Sequence, residues 1–320
     1  MRHTPHHSFL VAMICSAVGV GLAGAQQQVV DPDFKVTVER PAYKGNGPTV
    51  AIEEAHSNFH TASGQYKPFA ELLTADGYRV VPSTQKFSTD TLKGISVLVV
   101  TNANARNLTD PAFTEAECDA VRDWVRAGGS LLLIADHAPF GASAANLAAR
   151  FGVSMGKGWV FEPTSSGLTT QLTFSRDNGL LGVHPILRGR DSSEQIRTVR
   201  TFTGQSIGGP GDATVLLRLA ATAREAPLTD DLDAEAKARS SGAAIGNRST
   251  AVNGRAQGIA MIVERGRVAV LGEAAMFSAQ VVTLPDGGRQ VVFQAGMNAP
   301  GNDNRQLALN VLHWLSGLLN

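Results

Sequence analysis

Hydrophobic positions along the chain fall into short continuous runs separated by polar turns, the pattern of strands covered on both faces. Residues 49–52, 78–81, 95–100 and 131–135 form four such runs. Between the first two, Phe69, Leu72 and Leu73 recur at helical spacing within 68–75, and Asp76-Gly77 announces the strand that follows. Between the last two, Thr114 and Glu117 have the spacing of a capping box. Phe113, Ala116, Ala120, Val121 and Trp124 then share one helical face, and Gly128-Gly129 ends the helix. Strand, helix and strand in this rhythm predict right-handed βαβ units, hence an α/β fold with a doubly wound, mostly parallel sheet.

The rhythm is lost from 156 to about 256, a stretch rich in Gly, Ser, Thr and Arg with an acidic-basic helical piece at 230–239. This predicts an irregular inserted lobe. Strands at 258–263 and 267–271, joined at Arg265-Gly266, and an apolar helix over 305–318 complete the pattern. Residues 26–46 are polar, with Pro32, Pro41 and Gly45, and read as a surface leader to a domain over 47–320.

The first 25 residues bear on compartment. Arg2 and three His precede the apolar run 9–20, and Ala23-Gly24-Ala25 supplies the small-x-small signature of a secretory signal peptide. The run is shorter than the ~20 residues that span a bilayer. We therefore expect cleavage after Ala25, a periplasmic or secreted protein, and no membrane partner afterwards. Cleavage removes Cys15 and leaves Cys118 as the single thiol, so no intramolecular disulfide forms. The 28 Lys and Arg balance the 28 Asp and Glu, which leaves no electrostatic footprint for a nucleic acid. With 43% hydrophobic and 18% charged residues the bulk of the chain is not disordered.

In open α/β sheets ligands sit beyond the carboxyl ends of the strands, and the polar residues of this chain concentrate at those places. Glu54, His56 and His60 follow the first strand, Asn102 and Asn104 the third, Asp136, His137 and Phe140 the fourth, and Glu273 and Met276 the late strand at 267–271. Glu54, Asp136, His137 and Glu273 are the expected catalytic groups, because carboxylates crowded in a cleft split their pKa values into acid and base. A plainer role for Asp136 is to cap the following helix. Asn102, Asn104, Phe140, Gln205 and Met276 are expected to contact the substrate. If the segment between them is helical, the spacing of four sets His56 and His60 on one face, a geometry that zinc sites use, so a divalent metal such as zinc is the cofactor to test. Gly204-Gln205-Ser206-Ile207-Gly208 has the outline of a serine nucleophile elbow, but Gly208-Gly209-Pro210-Gly211 does not start a helix well, and a glycine-rich loop is the better reading.

The order of these runs, the strand leading into Asp136-His137, and the ending Val268-Ala269-Val270-Leu271-Gly272-Glu273 with Asn304 opening the last helix resemble the class I glutamine amidotransferase-like fold, in an extracytoplasmic branch. The resemblance covers about 46–155 and 256–320. In amidotransferases of that family a cysteine in a Gly-x-Cys-x-Gly turn follows the strand that here leads into Asp136-His137. No cysteine stands there, and thiolate chemistry on glutamine is therefore not expected. The resemblance implies instead a hydrolase of a small polar substrate such as a glycan fragment, since related folds accompany carbohydrate processing. The alternative is a non-catalytic ligand-binding or scaffold domain that kept the cleft.

Overall fold

The computed structural model describes residues 27–105, 107, 109–165, 167–227, 248–286 and 289–320. The signal peptide expected at 1–25 and the helical piece expected at 230–239 lie outside them. In chain order the first part comprises β1 (Gln27–Val30), β2 (Thr49–Glu53), α1 (Lys67–Ala75), β3 (Arg79–Ser83), β4 (Val97–Thr101), α2 (Glu115–Arg126), β5 (Ser130–Ile134) and α3 (Phe140–Ala149). The middle contributes β6 (Ser154–Met155), β7 (Gly158–Thr164), β8 (Gly167–Thr169), β9 (Thr173–Ser175), the short α4 (Pro185–Arg188), β10 (Thr198–Arg200), β11 (Ile207–Gly208), β12 (Thr214–Arg218), β13 (Arg224–Pro227) and β14 (Thr250–Ala251). β15 (Ala256–Val263), β16 (Gly266–Leu271), β17 (Ala279–Asp286), β18 (Arg289–Gly296) and α5 (Asn304–Leu315) close the chain.

The central sheet runs β3-β2-β4-β5-β16-β15-β11-β6, with β12 also on β15. Its first five strands are parallel, Leu98 lying between Ala51 and Leu131 and Ile134 between Thr101 and Leu271. Alternate residues of each strand enter opposite layers, as the pleat requires. Val50, Ile52, Val97, Val99, Leu132 and Ile134 pack towards α1 and α5, whereas Ala51, Leu98, Val100, Leu131 and Leu133 pack towards α2 and α3. Burial of both faces explains why β2, β4 and β5 have no polar alternation. Both hydrogen bonds of the Thr114/Glu117 capping box form, and α2 ends before Gly128, whose φ of 115° suits a residue without Cβ. Gly77, at φ 92°, lets α1 turn into β3 beneath Tyr43, where a Cβ would come within 2.1 Å of the Tyr43 carbonyl.

Three expectations are corrected. The 156–256 lobe is antiparallel β structure: β14-β13-β7-β8 form one sheet, β10-β9 another, and β11 and β12 join the central sheet through β15. The leader is not merely laid on the surface, because β1 pairs with β17 in a third sheet, β1-β17-β18. The β15–β16 turn is formed by Glu264-Arg265, with Glu264 at φ 52°, while Gly266 already belongs to β16 opposite Val263. Among the described residues no helix is long and apolar enough to cross a membrane.

Candidate functional site

Because β2, β4, β5 and β16 are parallel neighbours, the loops after them meet at one edge of the sheet. Asn102 ties three of these loops together. Its Oδ1 accepts from the Asp136 backbone N–H at 2.9 Å, its Nδ2 lies 3.1 Å from His60 Nδ1, and its carbonyl accepts from the Phe59 N–H at 3.1 Å. It adopts φ 43°, a left-handed conformation that asparagine tolerates better than most residues. With the Asn102 amide donating, His60 carries its proton on Nε2.

Asp136 and Glu273 stand as an interacting carboxyl pair. Glu273 is fully buried and accepts backbone N–H groups of Phe202 (3.3 Å), Ala275 (2.9 Å) and Met276 (2.7 Å). Asp136, 9% exposed, accepts the His137 N–H at 2.7 Å. Burial pushes both acids above the ordinary carboxyl range, and the charge of Asp136 pushes Glu273 further. The nearby Tyr66 hydroxyl, held against the Ala274 carbonyl at 2.9 Å, is likewise raised by burial and by these two carboxylates. The half-buried His137 is in contact with the Ala138 carbonyl through Nδ1 at 2.7 Å. Its ring and that of Phe59, 39% exposed, flank Phe140 at centroid distances of 6.4 and 6.3 Å.

The remaining expected residues are distributed as follows. Gln205 is fully buried, donates to the carbonyls of Ala135 and Asp136 and accepts from the Lys157 N–H, so it ties the lobe to the end of β5. The Met276 side chain is in the core, and only its N–H reaches Glu273. Asn104 is half-buried and donates its backbone N–H to the His56 carbonyl. Glu54 is used locally, accepting the Ala62 N–H at 2.7 Å, while its neighbour Glu53 points into the protein. Asp136 does not cap α3, whose cap position is Pro139 with no side-chain bond.

The His56/His60 metal pair rests on a helix that does not form, as residues 54–63 are turn and coil. His56 instead bridges two carboxylates, Nδ1 to Glu53 at 2.8 Å and Nε2 to Glu117 at 2.9 Å. Glu53 also accepts the backbone N–H groups of Ala55 and His56 and, at 2.5 Å, the amide of Asn58. Glu117 holds the Thr114 cap. Burial opposes charge on His56, but the hydrogen bonds and charges of Glu53 and Glu117 outweigh it, and its pKa is raised. With both ring nitrogens engaged, His56 lacks the lone pair a metal needs. Among the described residues no group of three His, Cys, Asp or Glu is disposed to hold a metal ion. The spacing concealed this staple; Glu53 and Glu117 were the members missing from the expected set.

Neither nucleophile candidate is available. Burial pushes the Cys118 thiol up to about 11. Ser206 is fully buried, donating to Glu225 at 2.5 Å and accepting from Arg255 Nε at 2.6 Å.

His60 provides a pH test. Burial lowers its pKa to about 3, so the folded chain keeps it neutral while the unfolded chain binds a proton near 6.5. Stability is therefore lost as pH falls below the unfolded value. Between pH 7 and pH 5 this one group is expected to remove about 2 kcal/mol. Parallel urea titrations of the wild type and His60→Gln, whose amide can still accept from Asn102, will show a flatter acid limb in the variant. Equal limbs would refute the assignment.

No protein-family model and no curated protein matches this sequence. Solved structures do. The mmIFT52 N-terminal domain superposes with a TM-score of 0.55 at 15% identity, over 84% of this chain and 97% of that one. The likeness is one of fold. A ThuA-like protein from Bacteroides uniformis (TM-score 0.41, 14% identity, 89% of this chain and 95% of that one) and a GMP synthase protein from Thermoplasma acidophilum (0.42, 10%, 85% and 96%) are weaker likenesses, compatible with an amidotransferase-like fold. Glycosidase chains also occur, at TM-scores of 0.35 and 0.36 and over about a third of their length.

Proposed function

We propose that the protein is an exported hydrolase of a small polar substrate, a carbohydrate fragment being the favoured class, on an amidotransferase-like fold whose nucleophile position is taken by Asp136-His137. The observation that carries this reading is the Asp136–Glu273 pair at the carboxyl edge of the sheet. Two buried acids that interact retain a proton at a pH where isolated carboxyls have lost it, and such a proton is what a general acid supplies to a leaving group. Asp136 is the member that reaches the crevice, Glu273 sets its proton affinity, and His137 stands at the mouth as the second acid/base group. Phe59, exposed beside Phe140, offers a flat apolar face of the kind that lines ligand sites beside a few polar groups. Asn102, by fixing the Asp136 main chain, is a positioning residue. A binding module without turnover is the second reading, favoured by the engagement of Ser206 and the protonated state of Cys118.

The test is a panel of 4-nitrophenyl glycosides and esters assayed from pH 4 to pH 9. We expect turnover with kcat/KM falling on an alkaline limb whose midpoint lies above the ordinary carboxyl value of about 4. Saturable binding of such compounds without turnover at any pH would establish the binding module instead.

A further inference from the structure

A second cavity of about 600 Å³ lies outside the Asp136 cluster, between β1 and the segment that enters α1. Its walls include Val29, Val30 and Pro32 from the leader and Phe59, Gln65 and Lys67 from the β2–α1 connection and the start of α1. The apolar members are not satisfied by the fold: Val29 is 53% exposed. Gln65 adds a polar demand. Its Nε2 donates to the Gln28 carbonyl at 3.3 Å, which fixes the orientation of the amide, and its Oε1 is then shielded from solvent with no hydrogen-bond partner. A buried acceptor left unpaired costs about 1–3 kcal/mol, and the terminal torsion of glutamine is soft enough to turn it towards a donor. Lys67 supplies the charge: its only ion pair is a 3.8 Å contact to Glu71, with both side chains about half exposed, and such pairs contribute little.

We propose that this cavity is a binding site for an amphipathic organic anion: a flat apolar body against Phe59, Val29, Val30 and Pro32, a hydrogen-bond donor for Gln65 Oε1, and an anionic group beside Lys67. The site is built by the leader strand together with the β2–α1 connection, so the leader's pairing with β17 forms a wall of it. It does not depend on acid/base chemistry at Asp136.

The probe is 1-anilinonaphthalene-8-sulfonate, which has the apolar rings, the N–H and the sulfonate in one molecule and fluoresces when shielded from water. The full chain is expected to bind it saturably, one per chain. Gln65→Ala and Lys67→Glu should each weaken binding about five- to ten-fold and Phe59→Ala by at least about ten-fold, where ten-fold corresponds to about 1.4 kcal/mol. Asp136→Asn should leave affinity unchanged, which separates this site from the hydrolase reading. Val292→Lys tests the other exposed apolar strand, Val291-Val292 on β18, and should also have no effect. Binding that is indifferent to Gln65 and Lys67, or that is lost in Val292→Lys, overturns the proposal. So does binding that appears only when residues 1–26 are removed, which would give the cavity to the chain's own amino-terminal segment.

Discussion

Glu53→Ala is expected to destabilise the protein by about 3–5 kcal/mol, the cost of removing one partner from a buried charged network. Glu53 is fully buried and its two oxygens accept from Ala55 N, His56 N, His56 Nδ1 and Asn58 Nδ2. Alanine leaves those four donors without an acceptor inside the fold, and His56, now beside Glu117 alone, loses much of what holds its charge. Glu53→Gln is the informative companion. It keeps the volume and one acceptor oxygen but brings an amide N–H₂ against donors, so it should lie between wild type and alanine. The His56 staple also has a pH signature. A raised histidine pKa contributes stability that is complete below the unfolded value near 6.5 and is lost as pH rises through the folded value. The wild type should therefore lose this contribution on the alkaline side, and Glu53→Ala should show a flatter limb there. Chemical denaturation at pH 6 and pH 9 checks both; a loss below about 1 kcal/mol at pH 6 would mean that the staple is not a structural element.

The staple also shows where sequence reading stops. The boundaries of β2, β4, β5, β16 and α2 were legible to within two residues, because unbroken apolar runs and a capping box have few alternative readings. The choice between Glu53 and Glu54 was not made correctly, although a signal existed. Ala51 faces the α2 layer, and the period of two puts Glu53 on that same face, where Glu117 begins α2. Glu54 has the opposite parity and stays at the surface of the turn. Glu117 was visible only as a capping residue, since nothing local indicates that its other oxygen meets His56 from 61 positions away. The β1–β17 pairing joins residues about 250 positions apart through a four-residue strand, too short for periodicity to register. The lobe escaped for the same reason, its strands running from two to seven residues and pairing mostly out of sequence order. The convergence of His60, Asn102, Asp136, His137 and Glu273, in contrast, followed from parallel topology alone.

Asp136→Asn is expected to abolish turnover, by about 10²–10⁴-fold if Asp136 is the proton-transferring group, while leaving the fold as stable as before or more so. The geometry separates these two effects. The asparagine oxygen can still accept the His137 N–H at the position Asp136 Oδ1 now occupies, and the Asp136 backbone bond to Asn102 is untouched. What the variant removes is a second acid beside Glu273. Both acids are raised in the folded chain, so their ionisation costs stability as pH rises from the unfolded carboxyl value through the folded ones. The wild type should therefore weaken between pH 5 and pH 8 from this source, and Asp136→Asn should weaken less. Groups positioned for catalysis at the expense of stability behave in this way when neutralised. A purely structural aspartate would do the reverse, losing stability on substitution and leaving any measured turnover near that of the wild type. Thermal melts at the two pH values, read beside kcat/KM for the best substrate of the panel, decide between them: unchanged turnover in Asp136→Asn removes the hydrolase centre from this edge of the sheet, whatever its effect on the melt.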